Sequence, residues 1–245
     1  MAAAGIVLAG GKGSRMQSDV PKQYMELLGK PLLYYALKAF EDSDVEQVVL
    51  VTAEGDEEYC RKELVERFGF TKVTAIVAGG AERYASVWNG LKCLKTGPED
   101  MQDPDVQTGE QEPEYVLIHD GARPLVTAEL INRLITETEH YGACVAGMPV
   151  KDTIQMTDAQ GAITLTPKRD SLWMAQTPQS FGFSLAYDAY ERLMEESEIN
   201  VTDDAMVVGM YYDIPIQMVR GSYTNMKVTT PEDLVLAEAF LRKRE

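Results

Sequence analysis

The chain is poor in the residues that build metal centres, disulfide frameworks and nucleic-acid surfaces. It has two histidines and three widely spaced cysteines, with no Cys-X-X-Cys pair, which argues against structural zinc and against disulfides. Its 39 acidic and 23 basic residues give a formal net charge of −16, whereas binding to a nucleic-acid backbone needs a broad positive surface. No run of the sequence approaches the ~20 apolar residues of a membrane-spanning helix, and the N-terminus lacks the pattern of a secretory signal. We therefore expect a cytoplasmic protein that binds neither nucleic acid nor membranes.

What is present is the composition of an ordinary globular domain. With 245 residues, 45% of them hydrophobic, the chain can bury one substantial core, and we interpret residues 1–245 as a single domain. Because the protein as a whole is acidic, an anionic ligand would have to be met by a local group of cations. Magnesium is compatible with the scarcity of histidine, since it takes one or two carboxylates together with substrate phosphates.

Glycines and cations follow the first apolar run. Gly5–Val7 leads into Ala9–Met16, with the sequence AGGKGSRM, where backbone N–H groups could approach phosphate oxygens without an intervening Cβ. Arg15 and Lys22 would supply positive charge, and Pro21 fixes the register at which Lys22 enters. The segment favours a polyphosphate site. The alternative is a tight turn between a strand and a helix, with cations on its surface.

Two common phosphate loops do not fit this segment. The GxGxxG fingerprint would need a glycine at Met16, and the Walker A loop would need one at Arg15. We therefore expect neither a dinucleotide-binding dehydrogenase nor a P-loop NTPase.

Short β-branched runs alternate with amphipathic stretches in the first part of the chain. Strands are predicted at 4–9, 47–52, 72–77 and 115–119, and helices near 31–41, 56–68, 84–95 and 127–140. This alternation predicts an α/β fold with a mainly parallel sheet covered on both faces. Ligands of such sheets bind at the carboxyl ends of the strands, where Gly10, Gly80 and Asp120 all fall.

Two segments interrupt the alternation. Residues 96–114 are rich in Pro, Gly, Gln and acidic residues, which predicts a surface insertion without chemistry. Strand-like runs at 150–156 and 162–167 are joined by a turn-rich linker and predict a projecting β-arm, about 150–175. Because a hairpin cannot bury both faces by itself, we expect this arm to pair with a second subunit.

The C-terminal part has well-marked helix starts. Thr202–Asp204 would begin a helix at 203–211. Thr230 is expected as the N-cap of the last helix, with Pro231 at its first position and acidic residues in its first turn. This last helix closes the fold and is not assigned chemistry.

Two further motifs lie at the expected ligand edge. In His119–Pro124, with the sequence HDGARP, Asp120 could bind a metal or a substrate hydroxyl and Arg123 could hold a phosphate. The alternative is an Asp–Arg pair that closes a turn. Gly79–Arg83, with the sequence GGAER, together with Ser86, could read a base or ribose; alternatively, its two charged residues pair with neighbouring elements.

With these motifs in order, the chain resembles the 2-C-methyl-D-erythritol 4-phosphate cytidylyltransferases over nearly its full length. The resemblance rests on seven segments: AGGKGSRM with VPKQY, GGAER with Ser86, HDGARP, PVKDT, RDSLWMAQTPQSF, TDDA and NMKVTTPEDLVLAE. It implies a Rossmann-like nucleotidyltransferase fold, a homodimer formed through the β-arm, and magnesium or another divalent cation. The implied reaction transfers CMP from CTP to 2-C-methyl-D-erythritol 4-phosphate and releases pyrophosphate, in the non-mevalonate isoprenoid pathway.

The resemblance also implies residue roles. Arg15 and Lys22 would stabilise charge at the α-phosphate of CTP, while Lys227 and Arg169, the latter from the partner subunit, would position the acceptor. The residues expected to line the CTP pocket are Ala9, Gly10, Gly11, Gly80, Ser86 and Gly121. Those expected on the acceptor side are Asp120, Arg123, Thr153, Thr177 and Thr202, and Asp120 is also the candidate metal ligand, mainly through the CTP phosphates.

Departures from the family pattern keep two alternatives open. Leu8 and Gly10 stand where the family more often has Pro and Ala, and Ala81 stands where an acidic residue is common. These residues make the first loop similar to that of the ribitol-5-phosphate cytidylyltransferases of teichoic acid synthesis, although HDGARP, TDDA and VTTPED fit the first family better. The other alternative is a non-catalytic nucleotide-binding protein, which would be expected to have lost some of the charged residues named above; all of them are present.

Overall fold

A seven-stranded sheet forms the centre of the computed structural model, which describes residues 2–11, 16, 20–97 and 112–244. The strands are β1 (Ala3–Leu8), β2 (Glu26–Leu27), β3 (Lys30–Pro31), β4 (Gln47–Thr52), β5 (Val73–Ala78), β6 (Tyr115–Asp120), β7 (Ala143–Pro149), β8 (Met156–Thr157), β9 (Ile163–Leu165), β10 (Trp173–Gly182) and β11 (Gln217–Arg220). The helices are α1 (Leu32–Glu41), α2 (Glu57–Cys60), which continues as a π-helix over Arg61–Glu66, α3 (Arg83–Thr96), α4 (Ala128–Tyr141), α5 (Phe183–Leu193), α6 (Asp204–Tyr211) and α7 (Pro231–Arg242).

The order of the strands confirms the predicted α/β class. The sheet runs β11-β7-β10-β6-β1-β4-β5, and β10 alone among these strands is antiparallel to its neighbours. The four strands predicted in the first part of the chain all lie in this sheet, side by side. Their carboxyl ends therefore meet at one edge.

The sheet is covered by helices on both faces because successive side chains of its strands point to opposite sides. Along β1, Ala3 and Val7 join a core cluster that includes side chains of α1 and α4. Ala4 and Ile6 join a second cluster that includes side chains of α3 and α5. Gly5 is required between them, since a Cβ there would lie 2.7 Å from the ring of Phe40.

The predicted β-arm is present as a shorter hairpin. The strand-like runs at 150–156 and 162–167 reduce to β8 and β9, which pair antiparallel. The turn between them is held by Asp158, whose carboxylate accepts hydrogen bonds from the N–H groups of Gln160 (3.0 Å) and Ala162 (2.9 Å). Both faces of this hairpin are exposed. Because no other part of the described chain packs against β8 and β9, their pairing stays short.

Part of the sequence interpretation falls outside the described residues. Of the predicted insertion at 96–114, residues 98–111 are not described, and neither is Arg15. Thr96 ends α3 and Glu114 immediately precedes β6. Within the described ranges, no helix is long and apolar enough to cross a membrane.

Candidate active site

A cavity of about 650 Å³ lies at the carboxyl ends of β6, β1, β4 and β5. The residues that line it are Leu8, Ala9, Gly10, Gly11, Lys22, Gln23, Thr52, Ala53, Glu54, Gly79, Gly80, Ala81, Glu82, Arg83, Ser86, Asp120, Ala122 and Lys227. Gly10, Gly80 and Asp120, which the strand pattern places at this edge, thus line the same cavity. The segments that directly follow β1, β4, β5 and β6 line the cavity because the carboxyl ends of these parallel strands meet at one edge.

The first glycine loop leaves β1 toward the end of β4. The N–H of Ala9 donates to the carbonyl of Val51 at 2.6 Å, which continues the strand pairing by one residue. A Cβ on Gly10 would lie 3.1 Å from the carbonyl oxygen of Thr52, whereas one on Gly11 would meet nothing within 4 Å. Gly10 therefore allows close packing on β4, and the backbone at Gly11 is open to a ligand.

Lys22 lies on a short 3₁₀ turn, Lys22–Tyr24. The hydroxyl of Tyr24 donates to the carboxylate of Asp56 at 2.9 Å, which ties the turn to the start of α2. The ammonium of Lys22 donates to the carbonyl of Val228 at 3.4 Å. Lys22 and Lys227, from distant parts of the chain, are thereby brought to the same cavity.

The second glycine turn is held by its own serine. The hydroxyl of Ser86 accepts from the N–H of Gly80 at 3.1 Å and donates to the carbonyl of Glu82 at 3.2 Å. A Cβ on Gly80 would lie 2.4 Å from that of Ala85, so the packing permits only glycine here. Ser86 therefore stabilises the turn that presents the Gly80 backbone to the cavity.

Asp120 is the charged centre of the cavity wall. Its carboxylate accepts from Arg83 Nε at 3.1 Å and pairs with Lys227 Nζ at 2.9 Å, and Arg123 Nε lies 4.0 Å away. Burial opposes ionisation of this carboxyl, but the charges of Arg83 and Lys227 outweigh burial and hold the pKa of Asp120 well below its usual range. Asp120 is therefore an anion that fixes the cations around it.

Arg83 links this centre to the start of α6. Its two terminal nitrogens donate to the carboxylate of Asp204 at 2.7 and 2.8 Å, and the hydroxyl of Tyr190 donates to the same carboxylate at 2.5 Å. Burial lowers the pKa of Arg83, but Asp204 and Asp120 more than reverse this and raise it. Arg83 therefore pairs with neighbouring elements, which was the alternative to a role in reading a base or ribose.

Behind Asp120 lies a group of buried polar residues. Thr177 is 4% exposed, and its hydroxyl accepts from the N–H of Asp120 at 3.0 Å. His119 is fully buried, and burial lowers the pKa of its imidazole to about 4. Arg123 donates from Nη1 to the carbonyl of Asn225 at 2.9 Å. Arg123 and Thr177 thus adjoin Asp120 but are not among the residues that line the cavity.

The remaining predicted residues lie farther from this cavity. Gly121 does not line it; a Cβ there would lie 2.9 Å from the carbonyl of Leu8, so this glycine is explained by packing of β6 against β1. Thr202 lines a separate cavity of about 320 Å³, which shares Glu82 and Arg83 with the first. Thr153 and Arg169 are exposed on the β-arm, where Arg169 donates to the carbonyl of Lys151 at 3.2 Å.

The side chains around Asp120 include few that could ligate a metal ion. In the ranges that the structure describes, no three or more His, Cys, Asp or Glu side chains form a group able to hold a metal ion by themselves. Magnesium does not need such a group, because one carboxylate and substrate phosphates suffice. The carboxylate of Asp120, in the cavity lining, fits that type of site.

Comparison with known proteins agrees with this geometry. A sequence model of the 2-C-methyl-D-erythritol 4-phosphate cytidylyltransferase family matches residues 3–243. The chain belongs to this family. Members from Lachnoclostridium phytofermentans and Lachnospira eligens are 45% and 46% identical over 240 and 239 residues, with 98% and 97% of this chain and 96% and 98% of theirs covered.

Solved structures place the fold in the same cytidylyltransferase family. The 4-diphosphocytidyl-2C-methyl-D-erythritol synthase of Anaerococcus prevotii is similar with a TM-score of 0.80 at 30% identity, covering 98% of this chain and 96% of the other. The cytidylyltransferase of Thermus thermophilus is similar with a TM-score of 0.73 at 28% identity, covering 97% and 98%. These matches confirm the nucleotidyltransferase fold and do not favour the ribitol-phosphate alternative.

Sequence reasoning missed several parts of the candidate site of this cytidylyltransferase. The pairing of Asp204 with Arg83 joins residues 121 positions apart, and no local pattern signals such a contact. The fully buried Asn225 enters the sequence interpretation only as the first residue of the segment NMKVTTPEDLVLAE. Its position two residues before Lys227 is the signal that could have drawn attention to it.

Proposed function

We propose that this chain transfers CMP from CTP to 2-C-methyl-D-erythritol 4-phosphate, giving 4-diphosphocytidyl-2-C-methyl-D-erythritol and pyrophosphate. One geometric observation carries the assignment of this reaction to the cavity: Lys22 and Lys227 come from distant segments and line it together with Asp120. The protein carries a net charge of −16, so cations gathered at one cavity are what polyanionic substrates require. Membership of the family supports the identity of both substrates.

In the proposed reaction, an oxygen of the acceptor phosphate attacks the α-phosphorus of CTP in line. A new P–O bond forms, the bond to the β-phosphate oxygen breaks, and pyrophosphate leaves with that electron pair. The acceptor phosphate is already anionic at neutral pH, so the reaction needs no general base. In keeping with this, no histidine or cysteine is found among the described residues that line the cavity.

Catalysis would then come from positioning and from neutralising charge. Lys22, with Arg15 from beyond the described residues, would stabilise the charge on the α-phosphate oxygens. Lys227 would hold the acceptor beside them. The backbone of the Ala9–Gly11 loop and of Gly80 would bind the nucleotide.

Magnesium is proposed as the divalent cation, held by Asp120 and by oxygens of the CTP phosphates. It would neutralise part of the charge of the triphosphate and of the departing pyrophosphate. Asp120 can take part because each of its oxygens accepts one hydrogen bond in the structure, from Arg83 and from Lys227, and a carboxylate oxygen has a second lone pair.

We also propose that the chain is a homodimer formed through the β-arm, and that it is cytoplasmic, as its sequence predicts. The arm presents apolar side chains that nothing in the described chain covers: Ile154, Met156, Ile163 and Leu165 are 42–63% exposed. No residue of the arm is among those that line the chain's own cavity. Pairing of two arms would bury these side chains and would allow Arg169 to reach the partner's site.

The reaction is tested by pyrophosphate release from CTP and magnesium, with methylerythritol 4-phosphate and ribitol 5-phosphate offered separately. We expect turnover with methylerythritol 4-phosphate alone. Turnover with ribitol 5-phosphate alone would move the protein to cell-wall precursor synthesis. If the protein binds CTP but releases no pyrophosphate with either acceptor, a non-catalytic nucleotide-binding protein would be favoured.

The placement of Arg169 in the partner's site is tested by mixing two inactive variants, Lys22→Ala and Arg169→Ala. If Arg169 acts across the dimer, each mixed dimer contains one site with both residues intact, and activity returns on mixing. If Arg169 serves its own chain, every site of a mixed dimer lacks one residue and no activity returns. Refolding the two variants together ensures that subunits exchange.

A further inference from the structure

Four residues behind Asp120 form a closed circuit of hydrogen bonds. The hydroxyl of Thr177 meets His119 Nδ1 at 3.0 Å, and His119 Nε2 meets the carbonyl of Arg123 at 3.3 Å. Arg123 Nη1 donates to the carbonyl of Asn225 at 2.9 Å, and Asn225 Nδ2 donates to the carbonyl of Thr177 at 2.9 Å. Each residue is thus held by the next, and the last returns to the first.

The direction of every bond in the circuit follows from the chemistry of its partners. A carbonyl oxygen can only accept, so the proton of the neutral His119 imidazole lies on Nε2, and Nδ1 is an acceptor. Thr177 must then donate its hydroxyl proton to Nδ1, which leaves its oxygen to accept from the N–H of Asp120 at 3.0 Å. The same rule turns the amide nitrogen of Asn225 toward the carbonyl of Thr177.

The circuit joins three segments that carry the candidate acceptor side. His119 is the penultimate residue of β6, directly before Asp120; Thr177 lies in the middle of β10, and Asn225 precedes Lys227 by two residues. His119 and Asn225 are both fully buried and do not line the cavity. They can therefore affect a ligand only through the residues that they hold.

We infer that His119 and Asn225 are positioning residues, which fix Arg123, Thr177 and the Lys227 loop relative to one another and so set the geometry of the acceptor-phosphate subsite. This inference rests on the proposed function, because it assigns the acceptor to that side of the cavity. It gives two buried polar residues a role in acceptor use and not in binding CTP.

The first test separates the two substrates by steady-state kinetics of His119→Leu and Asn225→Ala. We expect kcat/KM for methylerythritol 4-phosphate to fall about tenfold to a hundredfold, the scale on which small misplacements act, with the KM for CTP within about twofold of wild type. A matched control is Thr138→Val, which removes an equally buried hydrogen bond, from Thr138 to the hydroxyl of Ser180 at 2.8 Å, farther along β10. The control should lower stability and leave both KM values unchanged.

Unchanged acceptor kinetics in His119→Leu and Asn225→Ala, or an equal rise in both KM values, would overturn the inference. Partial rescue adds a second comparison. In His119→Gln the amide nitrogen can reach the position of Nε2, and in His119→Asn the amide oxygen can reach that of Nδ1, so each keeps one of the two bonds. Both should lie between wild type and His119→Leu in acceptor kcat/KM, and values no better than that of His119→Leu would count against the circuit.

A third test does not depend on activity. The chain has two histidines, His119 and the exposed His140, so ¹H–¹⁵N correlation spectra of histidine-labelled protein contain two imidazoles, and His140→Gln assigns them. We expect His119 to be fixed as the Nε2–H tautomer. An Nδ1–H tautomer would overturn the circuit even in an active enzyme. Conversely, a wild-type protein that fails to use methylerythritol 4-phosphate would overturn the proposed function while this tautomer is still observed.

Discussion

Replacing Arg83 with methionine should destabilise the protein strongly, because it leaves the fully buried carboxylate of Asp204 without its cationic partner. Methionine keeps most of the aliphatic stem, so the change removes charge and hydrogen bonds more than packing. In the described structure the carboxylate of Asp204 would retain the hydroxyl of Tyr190, while Asp120 would keep Lys227.

The expected loss follows from the burial of the pair. Removing one partner of a buried ion pair costs about 3–5 kcal/mol. The side chain of Arg83 is 29% exposed, so water can enter the vacated space, and we take the lower end, about 3 kcal/mol. For a protein of this size that loss lowers Tm by about 6–12 °C.

Urea unfolding, followed by the fluorescence of the two tryptophans, measures this loss. Arg83→Met combined with Asp204→Asn completes a double-mutant cycle, in which the pair should show an interaction energy of about 1–3 kcal/mol. The control is Arg192→Met, which breaks a 2.9 Å pair with Asp188 on the exposed surface of α5 and should cost less than about 1 kcal/mol. A loss from Arg83→Met as small as that of the control, or additivity in the cycle, would refute the reasoning.

Three further predictions concern pH, catalysis and assembly. The pKa of His119 is lowered from 6.5 to about 4, so between these values the unfolded chain binds a proton that the folded one does not; stability falls as the pH drops through this window, by up to about 3 kcal/mol. Urea unfolding at a series of pH values, without divalent cation, should show a larger drop in wild type than in His119→Leu, in which carboxyl groups with a lowered pKa, such as Asp120, still contribute; equal slopes in both would contradict it. Lys22→Ala should lose about a hundredfold or more in turnover. Near-normal turnover of this variant in an assay of pyrophosphate release would show that Lys22 is not a catalytic residue. Ile163→Asp on the β-arm should weaken the dimer in sedimentation, whereas Val235→Asp, on the equally exposed surface of α7, should not, and a strict monomer in wild type at micromolar concentration would dispose of the arm proposal.

Sequence alone predicted best where the deciding interactions are local. Thr230 and Asp233 form the capping box that starts α7, and Asp203 caps α6 through the N–H of Met206, as the short motifs indicated. The four parallel strands of the first part were found because each is a compact apolar run between helices. Their shared edge followed from topology and needed no further contacts.

Strand β10 shows why the rest was missed. It buries Gln176, Thr177, Gln179 and Ser180, so it has no apolar pattern to identify it. Its polar groups are satisfied by residues far along the chain, such as Gln179 by Asp203 and Ser180 by Thr138. Such a strand is stable only in the assembled fold, and its partners cannot be inferred from neighbouring residues.

The same strand has a consequence for how the family can vary. β10 begins on the β-arm at Trp173 and ends in the core at Gly182, with Thr177 between them, so no linker separates the arm from the interior. An insertion or deletion near its root would shift the register of buried groups against β6 and β7. At the tip, Gly161 has a positive φ of 87° and its surroundings are exposed, and there residues can be gained or lost without disturbing the sheet. Length changes among homologues should therefore accumulate at the end of the arm, so that evolution can reshape the proposed contact between subunits while the strand beneath it stays in place.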